Sequence, residues 1–360
     1  MSRALRLTIG AHLLCASTII AQQTTPFSVG SATAAPGTTA YGSIAIPAGS
    51  DSALQIAVAV IRGAKAGPVV AFVAGSHGTE YTSIIAMQKL ISRIDSRALA
   101  GTVIVLPLLN VASFETMTPH VNPIDRKGMN SMYPGDPNGT QTQRVLAEVT
   151  KQVVTPAEVV VDLHGGDLDE DLRPYSYWFR GGRAAQDSAG FKLVMAFGLD
   201  HVIVTDVDPN AATAGRSLSG QALVRGKTVL VAEAGRSGIV APADLKSLVE
   251  GSLNVLAELK MIARPVPHLQ HPTWLAGAGA RVAADSAGVF FPAVARDTRV
   301  TKGQIVGHTT DFLGRPTGEV RAPIDGLVTF IRGVPSMWPR ATLVNVAPIL
   351  KDPGKWTAPN

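Results

Sequence analysis

Sulfur, aromatic rings and charge are all scarce in this sequence. Cys15 is the only cysteine among 360 residues. It lies in an N-terminal stretch that reads as a removable leader, so no disulfide holds the fold and thiolate is excluded as a metal ligand. Any metal must then be held by nitrogen and oxygen. Charged residues make up 16% of the chain and aromatic ones 5%, and no Lys/Arg stripe is present. Nucleic acid therefore has little support as a partner. Past the leader, no uninterrupted apolar run reaches the length of a membrane helix, so no stable membrane anchor is expected.

What is present begins with that leader. Arg3 and Arg6 precede an apolar stretch, Leu7 to Ala21, which is too short to span a bilayer comfortably. Small residues and QQTT follow. The pattern predicts a secretory signal peptide over 1–21 and a secreted or periplasmic protein. Its removal lowers the net charge of +5 by two, leaving a weakly basic chain.

The length suits two domains at roughly 100–200 residues each. Residues 22–50, rich in Thr, Ser, Ala, Gly and Pro, read as a loose lead-in. From 51 to 263, short β-branched runs alternate with helical periodicity: ALQIAVAVI, PVVAFVAG, TVIVLPLL, EVVVDL, HVIVT and KTVLVAE are strand candidates. Helices are predicted over 83–95, 140–154, 186–199 and 242–262. A polar loop, 110–139, breaks the pattern. Runs apolar on both faces predict an α/β sheet covered by helices on both sides. Residues 264–360 read as a proline-rich linker followed by a small all-β domain.

In such sheets ligands sit beyond the carboxyl ends of the strands. Three strand candidates end on chemistry: SHGTE with His77 and Glu80, VDLHGG with His164, and VAEAG with Glu233. Two imidazoles and a carboxylate are a donor set for catalytic zinc, with the fourth position open. One Zn2+ per chain is the cofactor this set implies. A further carboxylate must move protons, and Glu233 is the candidate general base and acid. Asp162, two before His164, either orients that imidazole or is a buried strand polar residue. His120, the acidic run Asp167, Asp169, Glu170 and Asp171, and Tyr175 and Tyr177 are further polar groups that line a pocket or simply face solvent or pack. His268 and His271, in the proline linker, read as surface histidines.

The segments AGSHGTEYTS, PIDRKGMNSMYPGDPNGT, VVDLHGG and VAEAG resemble the succinylglutamate desuccinylase/aspartoacylase family, relatives of the zinc carboxypeptidases. The order and approximate spacing match over nearly the whole chain past the leader. The resemblance implies a mixed sheet of the zinc carboxypeptidase-like kind and a zinc-dependent hydrolase of amide bonds in small N-acyl amino acids. It implies His77, Glu80 and His164 as zinc ligands and Glu233 as the proton carrier. Members carry an Asn-Arg pair that binds the substrate carboxylate. Here Asn130 stands in that pair but Ser131 replaces the arginine, and a serine has no bidentate fork. Arg126 is the nearest replacement and Arg144 the second; alternatively the substrate lacks that carboxylate. A carboxypeptidase or peptide amidase acting on short peptides, and an inactive metal-bearing binding protein, are the rival readings. The run EVRAPIDGLVTFI resembles lipoyl/biotinyl β-sandwiches, but no lysine lies between Lys302 and Lys351 to carry a cofactor. That domain is expected to shape the site mouth or to serve homo-oligomer contacts.

Overall fold

The computed structural model describes residues 25–277 and 279–353; the expected leader, 1–21, lies outside them. A ten-stranded mixed sheet forms the centre. From edge to edge its strands are Ile349–Leu350, Thr273–Ala276, His201–Asp206, Tyr175–Arg180, Thr228–Glu233, Val159–His164, Lys65–Ala74, Ala100–Leu106, Leu54–Arg62 and Thr38–Ile46. The four strands from Thr228–Glu233 to Ala100–Leu106 run parallel to one another.

The apolar-on-both-faces signature has a direct structural cause. Along Lys65–Ala74, Val70, Phe72 and Ala74 enter one core, while Ala71 and Val73 enter the other. The helices Tyr81–Arg93, Ala184–Phe197 and Pro242–Glu258 close the first face, through Met87, Leu90, Leu193, Phe197, Leu248 and Leu253. Gln141–Val149 and Leu218–Val224 cover the second through Val145, Leu146, Leu218 and Ala222. Each fully buried large side chain contributes about 1.5–3 kcal/mol. The parallel block is therefore held from both sides, and its carboxyl ends form a rigid rim.

Two boundaries differ from the sequence reading. The lead-in is not loose: Phe27–Val29 pairs with Ala32–Ala34, and Thr38–Ile46 is the edge strand, matched to Leu54–Arg62 over nine residue pairs. Its periodicity is weak because only its inner end is buried, at Ile44 and Ile46. Gly42 is needed there: a Cβ would lie 2.5 Å from the Ala32 nitrogen. At the other end, Thr273–Ala276 and Ile349–Leu350 join the main sheet instead of the β domain. The sandwich body lies between them. One of its sheets is built on Ala280–Ala283, Thr342–Ala347, Gly326–Arg332 and Arg299–Val300, the other on Pro316–Arg321, Ile305–Thr310, Gly288–Pro292 and Ser336–Met337. Phe290, Val306, Val328 and Val344 pack between the two. The hairpin turn after Ile305–Thr310 carries exposed Phe312 and Leu313 in place of a carrier lysine.

Candidate metal centre and active site

Backbone geometry brings the strand-end residues together. After Lys65–Ala74 the chain turns at Gly75, φ +68°, and a Cβ there would press on Leu108. At Gly78 a Cβ would lie 2.4 Å from the Phe114 nitrogen, and the Gly78 N–H donates to Ser113 Oγ at 3.0 Å. The two glycines thus let the His77 loop lie flat against the start of the helix Val111–Thr116, and Glu80 is left at the start of the helix Tyr81–Arg93. Across the sheet, His164 pairs with Glu233, and Glu233 with Tyr175. The three side chains therefore share one row.

Glu80 is the hub. Its Oε1 lies 2.6 Å from His77 Nδ1 and its Oε2 2.9 Å from His164 Nδ1, and Oε2 also accepts the Gly165 N–H at 3.2 Å. On the far side of the His164 ring, Nε2 is 3.1 Å from Asp162 Oδ1 and 3.2 Å from the Asn130 amide nitrogen. Asp162 is thus a buried strand residue beside that imidazole, a place that both of its sequence readings allow. The side chains themselves test whether a metal fits. A ring nitrogen bonds a carboxylate only by donating a proton, so without a cation both Nδ1 atoms must be protonated around a carboxylate only 3% exposed. A divalent ion would take the place of those protons. The three ligand atoms lie within 4.8 Å of one another, and two imidazoles with one carboxylate suit Zn2+.

The electrostatics follow from burial and neighbours. Burial pushes Glu80 up, but the His164 and His77 imidazoles outweigh it and bring the carboxyl down to about 2. Burial opposes the charge on His164, yet Asp162 and Glu80 raise its pKa well above the ordinary value. Glu233 moves the other way: burial, with the carboxylates of Glu80, Glu170 and Asp162, holds it well above the usual range against the pull of His164. Glu170 is likewise raised to about 7, by burial and then by Glu80.

Other sequence candidates separate clearly. Arg144 is not at the site. It is 3% exposed, with Nη2 2.5 Å from Asp51 Oδ1, Nε donating to Pro47 O at 3.1 Å and Nη1 to Gly139 O at 2.7 Å. Its guanidinium ties the lead-in to the loop before Gln141–Val149, so it has no fork left for substrate. Arg126 is exposed, at φ 59°, and among the described residues only its backbone is bonded, to Asn122 O at 2.8 Å. Ser131 is exposed, and its hydroxyl donates to Gly128 O at 2.9 Å. His268 pairs with Glu258 at 2.8 Å, at a distance in the fold from this rim. His120 does come to the mouth: its ring is 6.1 Å from that of His77 and bonds Asp167 and Asp169. Tyr175 and Tyr177 lie on a strand, not in a loop, with ring centroids 5.3 Å apart. Arg332, which approaches the site from the β domain, had no local signal beyond an arginine at the end of an apolar strand.

A mixed sheet whose parallel strands deliver a His–Glu–His set and a further glutamate to one rim defines an α/β protein with a metal-competent centre. The chain belongs to the succinylglutamate desuccinylase/aspartoacylase family, whose catalytic domain matches residues 66–259. It is 28% identical over 329 residues to the N-alpha-acetyl-L-2,4-diaminobutyric acid deacetylase of Halomonas elongata, covering 87% of this chain and 93% of that one. Among solved structures, a succinylglutamate desuccinylase from Silicibacter sp. TM1040 superposes with a TM-score of 0.80 at 19% identity, covering 91% of this chain and 98% of that one. The product-bound ectoine utilization protein EutE (DoeB) from Ruegeria pomeroyi gives 0.79 at 21% identity, covering 91% and 99%. At these identities the likeness shows the fold.

Proposed function

We propose that this protein is a zinc-dependent hydrolase that cleaves the amide bond of a small N-acyl amino acid, acting outside the cytoplasm. The observation that carries the reading is the shared row of His164 and Glu233, with His77 and Glu80 facing it. His77, Glu80 and His164 would hold the metal. When bound, Zn2+ supplies Lewis acidity, polarising the acyl carbonyl and lowering the pKa of water.

The protein's own residues account for the proton movements. Glu233 accepts a proton from the attacking water as oxygen bonds to the acyl carbon. It then gives that proton to the departing nitrogen as the C–N bond breaks, so that water and amide become carboxylic acid and amine. Asp162 fixes the His164 ring. Tyr175, beside Glu233 in the sheet, supplies a hydroxyl on the same row.

The rim is rich in carboxylates, and among the described residues His120 is the cation that acts on Glu170. With Arg144 spent internally and Ser131 turned away, a substrate carrying an amino group suits this wall better than a second carboxylate does. The Halomonas relative, by its name, acts on an acetylated diamino acid. Serine in place of the arginine after Asn130 weakens a carboxypeptidase reading, and Glu233 has no use in a pure binding protein. Metal content of the purified protein, measured with turnover of N-acyl diamino acids, N-acyl acidic amino acids and dipeptides, tests the proposal. About one zinc per chain with turnover of the first class supports it. Zinc without turnover of any N-acyl compound overturns it.

A further inference from the structure

The loop that follows His164 runs into the other domain. Glu170–Leu172 adds as a strand to Gly326–Arg332 of the sandwich, with Glu170 opposite Arg332. The Gly333 N–H donates to Asp169 O and the Arg173 N–H to Thr329 O, both at 2.9 Å. Arg296 Nε lies 3.3 Å from Asp171. One wall of the site is thus an extra strand of the C-terminal domain.

Arg332 is the buried charge at this junction, 2% exposed. Its Nη1 lies 2.9 Å from Asp169 Oδ2 and donates to Thr342 O at 3.2 Å. Nε donates to Ser336 O at 2.5 Å, and the guanidinium lies 4.3 Å over the Trp338 ring. The other Asp169 oxygen meets His120 Nε2 at 3.1 Å, while His120 Nδ1 is 3.2 Å from Asp167 Oδ2. The His120 N–H also donates to Asp167 Oδ2, at 3.0 Å. His120 has φ 63°, a left-handed conformation uncommon for a non-glycine residue. The ring stands edge-on to His77, 41% exposed at the mouth.

We propose that Arg332 is a positioning residue for the active site: from the C-terminal domain it fixes Asp169, and through Asp169 it holds His120 where substrate enters. Burying a guanidinium is costly, and packing alone would be better served by an apolar side chain. Among the described residues, the one carboxylate that pairs with this arginine belongs to the loop after His164 in the other domain. His120, Asp169 and Glu170 also have ligand atoms within 4.8 Å of one another. Arg332 already neutralises Asp169, however, and repels a cation placed there.

The kinetic part of the test rests on the hydrolase reading above. Arg332→Met, Arg332→Lys, His120→Gln and the double variant R332M/H120Q are compared for KM, kcat and zinc content. R332M is expected to raise KM about 10–100-fold, with zinc retained and kcat little changed. Arg332→Lys recovers part of that loss. In the double variant R332M adds almost nothing to H120Q. Multiplying effects in the double variant, or a wild-type KM in R332M, would sink the proposal. So would two zinc ions per chain falling to one in H120Q, which would make the cluster a second cation site. Should R332M fail to fold, Asp169→Asn breaks the same link and leaves Arg332 its Ser336 and Thr342 acceptors. If the intact protein hydrolyses no N-acyl compound, the hydrolase reading fails separately. The link is then read from the His120 ring 15N resonances, which shift in R332M if the strut exists and stay fixed if it does not.

Discussion

The two walls of the site are built in opposite ways. On one wall, His77, Glu80, His164 and Glu233 stand at the ends of three adjacent strands whose side chains fill two cores. On the other, Asp167, Asp169 and His120 are loop residues held by Thr79, Arg332 and each other. The first wall inherits its rigidity from the sheet. The second is held by ion pairs and a borrowed strand from another domain. Under the proposed function, chemistry that must not move lies on the first, and contact with a variable substrate falls to the second. The contrast is the usual division between scaffold and loop, carried here across a domain boundary.

Breaking the first wall should have the largest effect. His164→Ala removes a ligand and uncovers Glu80. Metal analysis should find the ion gone and turnover at the level of the blank. A variant that kept both would refute the ligand set. Glu233→Gln should come next: the metal remains, measured by the same analysis, while kcat falls about 10²–10⁴-fold. Those two outcomes together separate holding the ion from moving the proton.

Away from both walls, Arg144→Met should lower stability by about 3 kcal/mol, at the low end for breaking a buried pair because Asp51 is part-exposed. Urea denaturation measures this, and activity per folded molecule should be unchanged. The change also alters the pH response. Burial raises the Asp51 pKa, but its bonds to the Gln141 N–H and Arg144 outweigh that and lower it. A depressed folded-state pKa gives stability that is present above the unfolded value and is lost as pH falls through the folded one. The intact protein should therefore lose this contribution only below about pH 4, and R144M should show a shallower acid dependence there. Arg126→Ala should change least, within about 0.5 kcal/mol of stability and with KM unaltered, because its exposed side chain has no recorded partner. A large rise in KM would instead assign the missing carboxylate fork to Arg126.

Much of this was legible in the sequence, for reasons that are local. The strands of the parallel block announce themselves because both faces are buried, which makes their apolar runs continuous. Their last residues could then be read as a rim, and the family motifs agree. Illegible were the features whose cause lies elsewhere in the chain. Thr38–Ile46 is polar and small because only its inner end is covered, so periodicity could not mark it. Arg144 looked available because nothing near it in sequence shows that Asp51, 93 residues away, takes its charge. Tyr175–Arg180 follows the acidic run too closely to stand out, yet it lies antiparallel beside Thr228–Glu233 and brings Tyr175 next to Glu233.

By itself, then, the sequence narrowed the donors that a metal centre here could use, because its single cysteine, Cys15, is far in the chain from the His and Glu residues at the strand ends. It also marked the strands of the parallel block and the long helices over them, since burial on one or two faces writes its period into the residues that are buried. Only the tertiary structure decided which arginine is spent inside the fold, which loop becomes a strand of the other domain, and that Arg332 stands behind the site. Those outcomes depend on pairing between charges and edges far apart in the chain, and a buried charge carries no local sign of the partner it will meet.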